Sequence, residues 1–293
     1  SRGLGDVYKR QILKDLFSDI SGFAEFVPGI DANTNLSSLN SHAVTAYKRI
    51  ANIISVPVYE KILEKKEDKL YDHLRTALAN LTMANDTVFD VVRKRKANIE
   101  IYKYEQEALR RAYYENYYNA MDSIISLLNA SEDLGWDETR YYRMLEKLQI
   151  KTTEDFDLLY CIDLSYLFFF RCIPIQVEVL EEILSGYVDR AKNKPSVLPL
   201  INRALAKMVV SVALTRFDIL EFPSTIRNLF IDSKVMRYGT QEQQRLLSLS
   251  AELREQANSL IKDVDLLLTD SEDTDIETET SFNLPEDKIQ LMP

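Results

Sequence analysis

One stretch constrains this chain more than any other. Between about residues 99 and 128, apolar side chains recur at helical spacing. Leu109, Tyr113, Tyr117, Met121, Ile124 and Leu128 step by three or four and share one face. Glu105, Glu107, Arg110, Arg111 and Glu115 occupy the other. About 30 residues at a rise of ~1.5 Å make a rod ~45 Å long. Asn129 and Ser131 lead into Gly135, a stop signal. Only 7 Gly and 8 Pro occur in 293 residues, fewer than an all-β fold with many tight turns requires. The expected fold class is therefore all-α.

The rest of the chain reads the same way. A second helix is predicted from Thr152, with Asp155 three residues on as in a capping box. It should continue through Leu167, Phe168, Phe169 and Phe170. It should end before Pro174, because proline disfavours a helical residue ahead of it. Residues 196–220, stopped by Pro223, and residues 240–268, free of Pro and Gly, are two further helices. Residues 53–56 and 173–179, each containing or adjoining a proline, are the expected short extended pieces.

Self-comparison suggests a duplication. Residues 55–63 resemble 176–184, and residues 74–81 resemble 201–208, with a longer loop at 192–196 taking up the difference in spacing. The expected organisation is two similar helical-bundle modules in tandem, residues 12–130 and 152–268, joined by a linker at 131–151. Each half has roughly the length that buries its own core. Likeness by chance between amphipathic helices is the alternative.

The ends differ in character. Asp6-Val7-Tyr8-Lys9-Arg10-Gln11 matches the translation of a sequencing adapter, so residues 1–11 are expected to be an artefact and are set aside from the fold. Residues 270–279 hold six acids and no base, the composition of a solvated linker. Beyond them lie Phe282, Leu284, Ile289 and Leu291. An acidic, flexible C-terminal tail (residues 269–293) with an apolar tag can dock on a neighbouring surface. A frayed terminus is the plainer reading.

Charge and composition exclude several classes. Lys and Arg number 36 against 46 Asp and Glu, a net −10, which argues against sequence-independent nucleic-acid binding. The most apolar stretch, residues 158–175, is interrupted by Asp163 and Arg171 and reads as a buried helix, so no membrane partner is expected.

No catalytic constellation stands out. Gly-rich phosphate loops, dinucleotide fingerprints and nucleophile elbows are missing from the sequence. His42 and His73 lie outside any metal-binding frame, and His73 reads as a surface or half-buried structural residue. Glu178, Glu181 and Glu182 read as solvent-facing. Cys161 and Cys172, on one predicted helix, would stand ~16 Å apart and cannot pair. They read as buried free thiols of a reducing compartment. The sequons at 80–82 and 85–87 fall on a predicted helix and read as accidental. The expectation is a non-enzyme with no catalytic, cofactor-binding or metal-binding residues, and no cofactor.

Two features suggest partners. Arg93, Lys94, Arg95 and Lys96 form a dense basic run after apolar residues 88–92. It can dock an acidic strip, such as the tail of a neighbouring copy, and salt would weaken that contact. A solvated helix end favoured by the dipole is the alternative. Tyrosine numbers 16, with six between positions 102 and 118. Tyr113 and Tyr117 fit the core face. Tyr114 and Tyr118 lie on its flank, for an inter-subunit contact or for packing on the other module.

The run Tyr102-Lys103-Tyr104-Glu105-Gln106-Glu107, with Tyr117-Tyr118-Asn119-Ala120-Met121-Asp122-Ser123-Ile124-Ile125 after it, resembles a family of phages and prophages of gut bacteria that carries a domain of unknown function. Asn116 or Tyr117 stands where that family has Gly. Residues 204–211 and 221–227 are similar to the family's later region, and the resemblance extends over most of 12–268. It implies a virion structural role, as a head–tail connector (adaptor) subunit. The implied partners are other copies of the chain, in a ring, and phage portal or tail proteins. The implied location is the virion, and the host cytoplasm during assembly. No catalytic residues carry over from the family. A cytoplasmic helical interaction or regulatory protein is the competing class.

Overall fold

The computed structural model describes residues 11–27, 29–30, 34–96, 103–227 and 239–272. The architecture is all-α, with no strand among the described residues. Short helices α1 (Ile12–Leu16) and α2 (Ile20–Ala24) begin it, the latter capped by Asp19, whose carboxylate accepts from Gly22 N at 2.9 Å. Helices α3 (Asn40–Ile54) and α4 (Val56–Glu64) follow. Ser55 separates them at φ 73°, and its hydroxyl caps α4 by accepting from Val58 N at 3.5 Å. Residues 53–56 are thus a break between two helices, not the expected extended piece. Ile53 and Ile54 are buried on a helix face.

The centre is a hairpin of two long helices, α5 (Lys69–Lys96) and α6 (Lys103–Asn129). At 28 and 27 residues they are ~42 and ~40 Å long. Tyr113, Tyr117, Met121, Ile124 and Leu128 are buried as their spacing predicts, while Leu109 is 38% exposed. Small Ala77 and Ala84 on α5 let α6 approach closely. Asn80, fully buried, donates to Phe26 O and Thr76 O at 2.9 Å and accepts from Asn116 Nδ2 at 3.1 Å. That first sequon asparagine is inside the protein. The helix stops at Asn129, whose Oδ1 accepts from Trp136 Nε1 at 2.8 Å.

Helix α7 (Arg140–Leu145) leads to α8 (Thr153–Leu159) and α9 (Tyr166–Val179). Thr152 caps α8 as expected, accepting from Asp155 N at 3.0 Å. The single helix predicted from there is instead two. Asp157 turns back to accept from Ile162 N at 2.7 Å and Leu164 N at 3.1 Å. Asp163 and Leu164 adopt positive φ, and Ser165 caps the new helix. Helix α9 then runs through Pro174, contrary to the expected stop and to the expected extended piece at 173–179. An internal proline costs about 3 kcal/mol. Phe168, Phe169, Phe170, Ile173 and Ile175 are all buried around it, each contributing about 1.5–3 kcal/mol, so burial outweighs the lost backbone bond. The break also separates the cysteines: Cys161 is exposed on the loop and only Cys172 is buried.

After a π-turn at Leu180–Leu184 come α10 (Ser185–Ala191), α11 (Leu198–Arg216), α12 (Ser224–Arg227) and α13 (Gly239–Glu272). Helix α11 ends at Arg216, seven residues before Pro223, where Phe217 turns extended. The segment Pro195–Arg216 is long and apolar enough to cross a membrane by length and composition alone. Here eleven of its residues, Val197 and ten of α11, are buried within the fold. Helix α13 packs antiparallel along it. Ser211 and Ser250 exchange hydroxyl-to-carbonyl hydrogen bonds of 2.8 Å in both directions. Helix α13 includes Asp270 and Glu272, so the acid-rich segment begins as helix. Residues 273–293 and 1–10 lie outside the described residues.

One apolar cluster extends from Ile12 to Ile261 and takes in both halves of the chain. Residues 131–151, expected as a linker, contribute Leu134, Trp136, Leu148 and Ile150 to it, with Trp136 5.2 Å from the ring of Phe170.

Candidate interaction surface

Three places could carry function: a half-buried charged cluster, a pair of clefts, and the far end of the α5–α6 hairpin.

The cluster sits where α3, α6 and α9 meet the turn Ile219–Glu221. Arg171 donates to Glu221 Oε2 at 2.9 Å, and Arg49 lies 3.4 Å from the same oxygen. Arg49 also donates to Tyr118 Oη at 3.4 Å and stacks over the rings of Tyr114 and Tyr117 at 5.9 and 5.6 Å. Burial pushes the Tyr117 phenol up to about 12, against the pull of Arg49, so it stays neutral. Tyr114, only 8% exposed, and half-buried Tyr118 thus both have Arg49 of α3 as a partner within the chain.

The clefts lie beside α9. One, of about 430 Å³, is lined by Lys69, His73, Asp122, Asp163 and Tyr166 among others. Its neighbour, about 370 Å³, is lined by Asn129, Lys151, Glu154 and Tyr166 among others. Their carboxylates serve as helix caps and braces. Asp122 accepts from Leu167 N at 2.7 Å and Ser165 Oγ at 3.1 Å. Asp163 accepts from Ser224 Oγ and Thr225 N, both at 2.7 Å. Glu154 accepts from Tyr166 Oη at 2.6 Å. Burial raises the Asp122 carboxyl to about 6 despite the donors around it. His73 is half-buried on the cleft wall. His42 instead faces Asp86, 3.3 Å away. No group of three or more metal-ligating side chains converges among the described residues.

Glu178, read from sequence as solvent-facing, is paired with Arg216 through two hydrogen bonds of 2.6 Å, while Glu181 and Glu182 are exposed. Arg216 holds the Glu178 carboxyl below its usual range.

The hairpin end is different. From Glu105 to Ala112 no described side chain is buried, and Ala108, Leu109 and Ala112 are exposed. On α5, Phe89 is 54% exposed, its ring 5.0 Å from that of His42. Gln106 Nε2 donates to Thr87 O at 2.7 Å and ties the two helices there. Arg93, Lys94, Arg95 and Lys96 form the last turn of α5; their side chains are outside the description. Phe282, Leu284, Ile289 and Leu291 lie outside the described residues. Sequence reading placed Phe89 within the apolar run 88–92 without singling it out. It missed Arg49, Arg171, Glu221 and Asp122, which are brought together only by the tertiary fold.

No family model, curated protein or solved structure matches this chain.

Proposed function

We propose that this chain is a non-enzymatic virion structural protein of a phage, a head–tail connector (adaptor) subunit. It binds other copies of itself in a ring, and portal or tail proteins. It acts in the virion and in the host cytoplasm during assembly. The family resemblance of residues 102–107 and 117–125 supplies the phage setting. The observation that carries an assembly role is the hairpin end: two rods of ~40 Å whose outer portion, as far as its side chains are described, contributes nothing to the core. Nearer the root, the carboxylates of the two clefts are engaged in capping and bracing helices, an arrangement suited to a scaffold. Within the same reading, the tandem likeness of residues 74–81 and 201–208 marks two related modules, each using its long helix as one member of a pair (α5 with α6, α11 with α13).

The genes flanking the coding sequence test the phage setting. Portal and capsid neighbours support it; metabolic or regulatory neighbours overturn it in favour of a cytoplasmic interaction protein. Light scattering of the purified chain mixed with the neighbouring portal protein tests the assembly role. A closed-ring mass on the portal is expected, and a persistently free monomer overturns it.

A further inference from the structure

The last turn of α6 and helices α7, α8 and α9 border the cleft of about 370 Å³ beside Tyr166. Buried Phe169 and Phe170, with exposed Tyr142 and half-buried Leu145, give it an apolar and largely aromatic lining. Its size is at the lower end of the range for small-molecule sites and suits one ring with a short side chain.

The charged and amide groups of the lining are not equally occupied. The Glu154 carboxylate accepts from Tyr166 Oη at 2.6 Å. Asn129 Oδ1 accepts from Trp136 Nε1 at 2.8 Å, which leaves the amide nitrogen as the remaining end of that side chain. Neither this nitrogen nor the Lys151 ammonium has a partner among the described residues. The acid of the lining is thus engaged, while two donors, one of them a cation, are open. A carboxylate is the group that such donors hold, through charge-assisted hydrogen bonds. An aromatic body suits the rings around it, which favour offset or edge-on neighbours.

We propose that this cleft binds a small aromatic carboxylic acid, its ring against Phe169, Phe170 and Tyr142 and its carboxylate held by Lys151 and Asn129. The site is complete within one chain. It goes beyond the assembly role and does not depend on it.

The fold supplies a reporter. Trp136 is the single tryptophan of the chain. Its ring lies 5.2 Å from that of Phe170 and 6.2 Å from that of Tyr142, and its indole N–H is the donor to Asn129. Three residues of the lining are therefore neighbours of Trp136.

The test uses the full chain labelled with heavy nitrogen. The indole N–H of Trp136 gives one side-chain signal in a proton–nitrogen spectrum, and hydrocinnamate is titrated against it. A saturable shift in the millimolar range is expected. Hydrocinnamyl alcohol carries the same ring without the charge, and phenethylamine carries the opposite charge. Both should bind at least about fivefold more weakly. Lys151 is exposed, so Lys151→Glu should keep the unliganded indole signal and the helical circular dichroism. It should weaken hydrocinnamate binding about tenfold. No saturable shift, an alcohol or amine that binds as tightly as the acid, or undiminished binding to Lys151→Glu overturns the proposal. The comparison of ligands is made on the unaltered chain, so it decides whether or not the variant folds.

Discussion

Arg171 and Glu221 meet at 2.9 Å across 50 positions of sequence, and they tie α9 to the turn after α11. Arg49, from the first half of the chain, closes on the same carboxylate at 3.4 Å. One acid thus serves two guanidiniums, and three separate segments depend on it.

Glu221→Gln removes the charge that both arginines face. Two like charges are then left half-buried beside each other, each about a third exposed, so solvent screens part of the cost. A loss of about 1–3 kcal/mol is expected in urea unfolding. An unchanged midpoint would show that the cluster adds nothing to stability.

Asp122 gives a pH signature. Its folded carboxyl titrates at about 6, raised from 3.8 by burial. The native state therefore binds the proton more tightly than the unfolded chain, and this group's contribution falls as pH rises between those values. Asp122→Asn keeps an oxygen for Leu167 N and cannot titrate. Its stability relative to wild type should improve as pH is raised from about 4 to about 7. Parallel pH profiles for the two proteins would contradict this. Lys69, His73 and Asp163 line the same cleft and are present in both proteins, so the difference between them isolates Asp122.

The two thiols should behave oppositely towards an aromatic disulfide reagent. Cys161 is exposed and should react at once in the native protein. Cys172 is buried, with its thiol pushed up by that burial, and should react only at the rate of unfolding. Two equally fast native thiols would mean that α9 does not pack as described.

Gln176 is fully buried, and neither end of its amide has a hydrogen-bond partner among the described residues. Gln176→Met keeps the volume and removes the polar group. A gain of about 1–2 kcal/mol is expected in thermal or urea unfolding. A loss of that size would reveal a partner for the amide.

Much of this fold was legible in residue order, for a physical reason. A helix that buries one face repeats its apolar residues every three or four positions whatever lies against it, so α6 and α13 could be read directly. The break at 160–165 was not, because it depends on the side chain of Asp157 competing for backbone amides. Continuation through Pro174 was also hidden. A local preference against helix there is overruled by five buried neighbours contributed by the fold. At the interaction surface the basic run and the flanking tyrosines were visible as residue types. Their setting was not: Arg49 reaches Tyr118 across 69 positions, and no local pattern announces a partner that remote.

The paired hydroxyls of Ser211 and Ser250 fix the longitudinal register of α13 on α11. Sliding by one turn, ~5.4 Å, would leave both hydroxyls stranded in an apolar seam. That notch works like the detent on a sliding bolt. It fixes where along α11 each turn of α13 sits, as far as Glu272.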